Sequence, residues 1–183
     1  MNKKNIKIGC SILLFIGVII TCLYLRFTEG ERYVKRCYYG DKDKFEYMKK
    51  YFSQMYEPGL NYIIYDVEDF RHSVVTKKYD NNKYSEKHED EVACVYLAEL
   101  KEKYKDDSDY GCFYAVFVNY DDSGHMKMSI PVRLKKISGK SAEERNTIYH
   151  YLIYIDDAYK NNDRTARLLY GNWYWETDVD YIG

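Results

Sequence analysis

The side chains best suited to proton transfer or metal ligation near neutral pH are four histidines, His72, His88, His125 and His150, and they stand apart in the chain. None belongs to an H-x-x-x-H or H-E-x-x-H pattern, the spacing that puts two metal ligands on one helix face. The nearest approach to an oxygen-rich ligand set is Asp121, Asp122 and His125 in "DDSGH". Aspartates at such a spot more often shape a turn than hold a cation, because the carboxylate bonds its own backbone two residues on. Cys94 and Cys112 offer thiols without the local surroundings of a nucleophilic cysteine. Asp156 with Asp157, and Asp178 with Asp180, are carboxylate pairs of the kind that divide acid and base roles in sugar hydrolysis, but solvated charge is the simpler account of both. No catalytic residue, metal ligand or cofactor is assigned, and the protein is expected not to be an enzyme.

The candidate binding residues are aromatic: Tyr170, Trp173, Tyr174 and Trp175, in "YGNWYW". Exposed on a sheet, such rings form flat platforms for sugar rings or for a partner's side chains. Trp173 and Trp175 alternate in step with Val179, which favours the core for them. Tyr174, in step with Glu176 and Asp178, is expected to be the more exposed. Lys127, Arg133, Lys135, Lys136 and Lys140 form a basic stripe, read as protection of an edge strand rather than as a lipid contact.

Where these residues work depends on the N-terminus. "IGCSILLFIGVIITCLYL", residues 8–25, carries no charge and follows Lys3, Lys4 and Lys7. As a helix it would be roughly 27 Å long, close to a bilayer's hydrocarbon thickness, and its Ile, Leu, Phe and Val together favour insertion by about 3 to 7 kcal/mol. The run is longer than a signal-peptide core and ends in bulky "LYLRF", so an uncleaved anchor is expected in preference to cleavage or to lipidation at Cys22. A short basic tail stays in the cytoplasm more readily than a long domain does. The expected topology is therefore N-terminus inside and domain outside, single-pass in the cell membrane.

Beyond residue 30 the chain has 24 basic and 28 acidic residues, a net charge of −4 that leaves no electrostatic footprint for nucleic acid. The full sequence holds 23 tyrosines and two prolines, in a background of Lys, Asp, Asn and Ile that resembles usage in AT-rich bacterial genomes. Cys37, Cys94 and Cys112 are an odd number with no C-x-x-C, compatible with one disulfide or with three thiols.

Residues 26–40 read as a charged juxtamembrane connector, and 41–183 as a single domain. Phe45, Met48, Phe52 and Met55 recur on one helical face after Asp41. "LNYIIYDV" (60–67) and "HSVVTKKY" (72–79) read as strands. Ser85, followed by Glu86, Glu89 and Glu91, reads as the start of a helix running to Lys105, with Cys94 on its polar side as the most reactive thiol. "CFYAVFVNY" (112–120) and "HMKMSIPVRLK" (125–135) form a hairpin across "DDSG", with Pro131 marking an edge or a bulge. "TIYHYLIYI" (147–155), apolar on both faces, reads as a central strand. Residues 167–181 read as one further strand bent at Gly171.

This order predicts an α+β fold: a transmembrane helix, then a mainly antiparallel sheet with two helices packed on one face. The expected function is a membrane-anchored envelope protein that binds a protein partner or a cell-envelope polymer. An envelope hydrolase and a cytoplasmic-facing regulatory or immunity-type protein are the alternatives.

Overall fold

The computed structural model describes residues 15–18, 21, 29–79, 82–89, 91–105, 112–138, 145–159 and 166–181. The chain divides into two compact units, Met1–Tyr33 and Val34–Gly183. In the first, the described residues are helical, and Thr21 Oγ1 donates to the Gly17 carbonyl at 2.8 Å. Phe15, Ile16 and Val18 are exposed. The rest of the expected span, residues 8–25, lies outside the described residues, and among the described residues no helix is long and apolar enough to cross a membrane.

The second unit is a mixed α+β structure built on a large antiparallel sheet. Residues 34–40 are helical and lead to α1 (Lys42–Ser53). Then come β1 (Leu60–Val67), β2 (His72–Tyr79), β3 (Lys83–Glu89), α2 (Val92–Lys103), β4 (Ala115–Tyr120), β5 (Met126–Ser138), β6 (Arg145–Ile155), β7 (Arg167–Tyr170) and β8 (Trp173–Tyr181). The strands lie in the order β3-β2-β1-β4-β5-β6-β8-β7 with every neighbouring pair antiparallel. Among the described residues, only the β1–β4 pairing joins strands separated by a helix, so the two hairpin systems meet there.

Alternation gives the sheet one face that bears the core. Ile63, Tyr65, Val118, Met128, Leu152, Trp173 and Trp175 are buried on it. Phe52 of α1 packs on Tyr65 (ring centroids 5.4 Å apart) and Phe45 on Trp173 (6.0 Å), while Tyr120 donates its hydroxyl to the Phe52 carbonyl at 2.6 Å. Burying each such side chain is worth about 1.5 to 3 kcal/mol. Phe113 has a φ of 55°, which lets it turn inward onto Phe45 (6.2 Å) just before β4 begins.

Several expectations need correction. Residues 34–40 do not behave as a connector. Val34, Cys37 and Tyr38, at helical i, i+3, i+4 spacing, are fully buried, and Tyr38 packs on Trp173 at 5.3 Å. Ser85 does not cap a helix. Lys83–Glu89 is the edge strand β3, paired to β2 with Thr76 and Ser85 hydroxyls 2.9 Å apart, and the helix begins at Val92. An edge strand with both faces wet needs no apolar alternation, and its acidic run imitates a helix N-terminus. The helix consequently turns differently from the expected one. Cys94 is fully buried and gives its thiol to the Asp69 carbonyl at 3.1 Å, while Val92 is exposed. β5 is not an edge. It lies between β4 and β6, and Pro131 is accommodated by a bulge between Pro131 and Arg133. The basic stripe therefore guards no edge. The side chains of Lys135 and Lys136, and Lys140 entirely, lie outside the described residues. Gly171, with φ of 54°, makes a turn rather than a bend, so the last strand is the hairpin β7–β8. Cys37, Cys94 and Cys112 are all buried, and none of the three is in a disulfide.

Candidate functional site

The aromatic quartet of the C-terminal hairpin is divided by the sheet. Trp173 and Trp175 are 2% and 3% exposed, on the core face. The Trp173 Nε1–H donates to Glu46 at 2.8 Å, and Arg167 lies 5.3 Å over the Trp175 ring. Tyr170 is exposed, with the Lys42 ammonium 4.6 Å from its ring centre. Tyr174 is on the opposite face of the sheet, beside Ile153 of β6.

The titratable groups are largely engaged. Asp121 accepts the N–H groups of Ser123 and His125 at 2.9 and 3.1 Å, so it shapes the β4–β5 turn, and His125 Nδ1 stands 3.2 Å from its carboxylate. Asp156 accepts the Met126 N–H at 2.8 Å and the Tyr154 hydroxyl at 2.6 Å, tying β5 to the end of β6. His150 is buried against Thr177 at 3.0 Å. No group of three or more His, Cys, Asp or Glu able to hold a metal ion occurs among the described residues.

A denser polar cluster lies where β1, β3, α1 and α2 meet. Glu91 accepts hydrogen bonds from the hydroxyls of Tyr51 and Tyr65, the latter at 3.0 Å, and pairs with His88 Nδ1 at 2.7 Å. The other ring nitrogen of His88 pairs with Glu86 at 3.1 Å. Burial alone would raise the Glu91 carboxyl, but the bonds from His88, Tyr51 and Tyr65 outweigh it and hold the carboxyl below its usual range. Burial likewise opposes charge on His88, and the two carboxylates overcome it, raising the imidazole. Both ring nitrogens are thus committed, so His88 acts as a charged tie between carboxylates rather than as a base facing a substrate. Nearby Cys94 is pushed up by burial and then by Asp69 and Glu91, which makes it an unreactive thiol. Beside this cluster is an open groove of 560 Å³ lined by Glu57, Lys77, Tyr79, Asn82, Tyr84 and Glu86. Its groups bond one another: Lys77 and Tyr79 both reach Glu57, at 2.9 and 3.1 Å.

The ring contacts of Phe45, Tyr51 and Phe52 from α1 fall on the core face of the sheet, and the opposite face is half-buried. Strand pairing places Tyr62, Ile64 and Asp66 of β1 beside Asn119, Phe117 and Ala115 of β4, and Asn119 and Phe117 beside Lys127 and Ser129 of β5. Next come Ile155, Ile153 and Tyr151 of β6, then Tyr174 and Glu176 of β8. Tyr149 and Tyr151 stack with centroids 6.1 Å apart, and Tyr114 meets Phe117 edge-on at 6.4 Å. Ala115 is completely buried and Ile153 is 1% exposed, whereas Tyr62, Ile64, Phe117, Tyr151 and Tyr174 are half-buried. In this setting burial raises the Asp66 carboxyl. Burial, then Tyr149, Asp66 and Tyr62, raises the Tyr114 hydroxyl. The face is tyrosine-rich, with the partly desolvated Asp66 carboxyl among the rings.

Sequence reasoning reached Tyr174 but missed Tyr62, Ile64, Asp66, Phe117 and Tyr151. The available signal was the doubly apolar β6, whose second face is evidence of a second buried or binding surface. Comparison with family models, with curated proteins and with solved structures gave no match.

Proposed function

We propose that this protein is a single-pass membrane protein, anchored by residues 8–25 with its α+β domain outside the membrane and its helices on one sheet face, and that it works by binding through the other face. The observation that supports this reading is the half-buried aromatic row of Tyr62, Ile64, Phe117, Tyr151 and Tyr174 that strand register sets side by side on the face opposite α1's ring contacts. Central aromatic residues surrounded by charged side chains match the anatomy of protein interfaces, where a few aromatic anchors supply most of the affinity. Tyrosine suits such a place because its ring has only two torsions to freeze and its hydroxyl is satisfied by water or by a partner.

A photocrosslinking residue placed at Phe117 in the full chain, in its native membrane, should capture a discrete neighbour. The same probe at Glu102, exposed on α2, should not. Equal labelling from both positions, or none from Phe117, would remove the platform as the working surface.

A further inference from the structure

We infer that the groove lined by Glu57, Lys77, Tyr79, Asn82, Tyr84 and Glu86 binds a neutral saccharide chain. This site lies apart from the sheet face proposed above as an interface, so neither reading depends on the other.

Register makes the groove. Ile63 of β1 stands beside Lys77 of β2, and Lys77 beside Tyr84 of β3, so all three share the face that bears the core. Tyr65, Val75 and Glu86 form the neighbouring row. Toward β1 these rows are closed, with Ile63, Tyr65 and Val75 fully buried. Toward β3 they are wet, with Glu86 exposed and Tyr84 59% exposed. Tyr79, two residues beyond Lys77, falls on the same side by alternation. Glu57, in the segment between α1 and β1, reaches Lys77 at 2.9 Å and Tyr79 at 3.1 Å and so supplies a wall. The groove's 560 Å³ is within the roughly 300 to 1,000 Å³ of small-ligand sites. Being open, it suits a stretch of polymer better than a molecule held whole.

Charge selects the class of ligand. The Lys77 ammonium stands between Glu57 at 2.9 Å and Glu86 at 3.6 Å, and Glu86 also pairs with His88 at 3.1 Å. An incoming cation would have to displace a lysine that both carboxylates already hold. An anion would face those carboxylates. A neutral ligand displaces nothing, because each carboxylate keeps spare lone pairs and Asn82 adds an amide that both donates and accepts. The Glu57 bond raises the Lys77 ammonium, and the bonds from Lys77 and then Tyr79 lower the Glu57 carboxyl, so both stay charged at neutral pH. Hydrogen bonds from hydroxyl groups to such charged partners are of the stronger kind, and the network is fixed before the ligand arrives.

The rings supply the other half of the recognition. Tyr79 and Tyr84 have centroids 6.0 Å apart and planes at 74°, so they form a corner of apolar surface beside the polar groups. A pyranose ring has the matching character: one face of C–H bonds to lie on an aromatic ring, and a rim of hydroxyls to meet carboxylate, ammonium and amide.

The test titrates the full chain, in micelles of a detergent without a sugar headgroup, by isothermal calorimetry. The probes are cellotetraose, maltotetraose and β-1,4-linked tetra-N-acetylglucosamine. At least one should bind. Tyr84→Ala should weaken that binding by about fivefold or more, and Tyr84→Phe, which keeps the ring, should retain most of it. Asn82→Ala, at an exposed turn position, should weaken it independently of any effect of the tyrosine change on folding. Phe70→Ala, at the opposite end of β2 and also exposed, should leave it unchanged. Binding of none of the three probes would overturn the inference, as would affinity that survives both Tyr84→Ala and Asn82→Ala. Tighter, Tyr84-dependent binding of tetramethylammonium or sulfate than of any saccharide would overturn it in favour of a charged ligand. Capture of a neighbour from Phe117 is unaffected by any of these outcomes, so the interface reading stands or falls by itself.

Discussion

His88 carries the clearest electrostatic consequence of the fold. Its imidazole lies between Glu91 at 2.7 Å and Glu86 at 3.1 Å, and those bonds raise it above the ordinary 6.5 despite partial burial. A histidine raised on folding contributes stability that is complete below the unfolded value and is lost as pH climbs through the folded one. The melting temperature should therefore fall between about pH 6.5 and 9 by more than in the variant His88→Gln, which cannot change charge. The two proteins should differ most at pH 6 and converge at pH 9, and parallel melting curves would show that the two carboxylates do not hold a charged imidazole. Glu91 works in the opposite sense. Its carboxyl is lowered on folding, so its contribution is present above the usual glutamate value and disappears as pH falls through the folded one. The optimum belongs between the two titrations.

The β4–β5 hairpin shows how a turn residue is fixed by an element distant in sequence. Gly124 has a φ of 82°, and a Cβ there would stand 2.8 Å from the Tyr56 ring, whose hydroxyl reaches the Asp122 carbonyl at 3.2 Å. Gly124→Ala thus meets both an unfavourable backbone region and an aromatic ring just beyond α1. It should cost about 1 to 2 kcal/mol or more, read as a lower denaturant midpoint at unchanged slope. Adding Tyr56→Ala to the alanine variant should recover part of the loss, because only the steric component is relieved. That this stretch is a hairpin is legible in "DDSG" between alternating strands; that Tyr56 presses on it is not, because the contact spans residues far apart in sequence. The same divide holds elsewhere. β1 and β2 were bounded correctly by their apolar alternation, and β6 was placed inside the sheet by being apolar on both faces. β3 was lost because a wet edge strand has no apolar period, and Cys94 was misplaced because its helix starts seven residues after Ser85. The platform around Asp66 was illegible for a topological reason. It exists only when β1, β4 and β6 are set side by side, and no spacing within any one of them states that register.

The whole molecule joins an oily N-terminal stretch to a domain whose compact unit begins at Val34. If residues 8–25 cross the bilayer, the chain should stay with membranes washed at high pH, where peripheral proteins are released, because removing the span would expose apolar side chains worth several kcal/mol to water. Substituting Ile16 and Ile19 by lysine should release it, since each charge near the bilayer centre costs about 2.5 to 3.5 kcal/mol and together they cancel most of the insertion energy. The same chain reports its orientation through protease added to intact cells. A domain outside should be cut back to a short fragment containing the anchor, whereas a cytoplasmic regulatory or immunity-type protein would survive until the membrane is permeabilised.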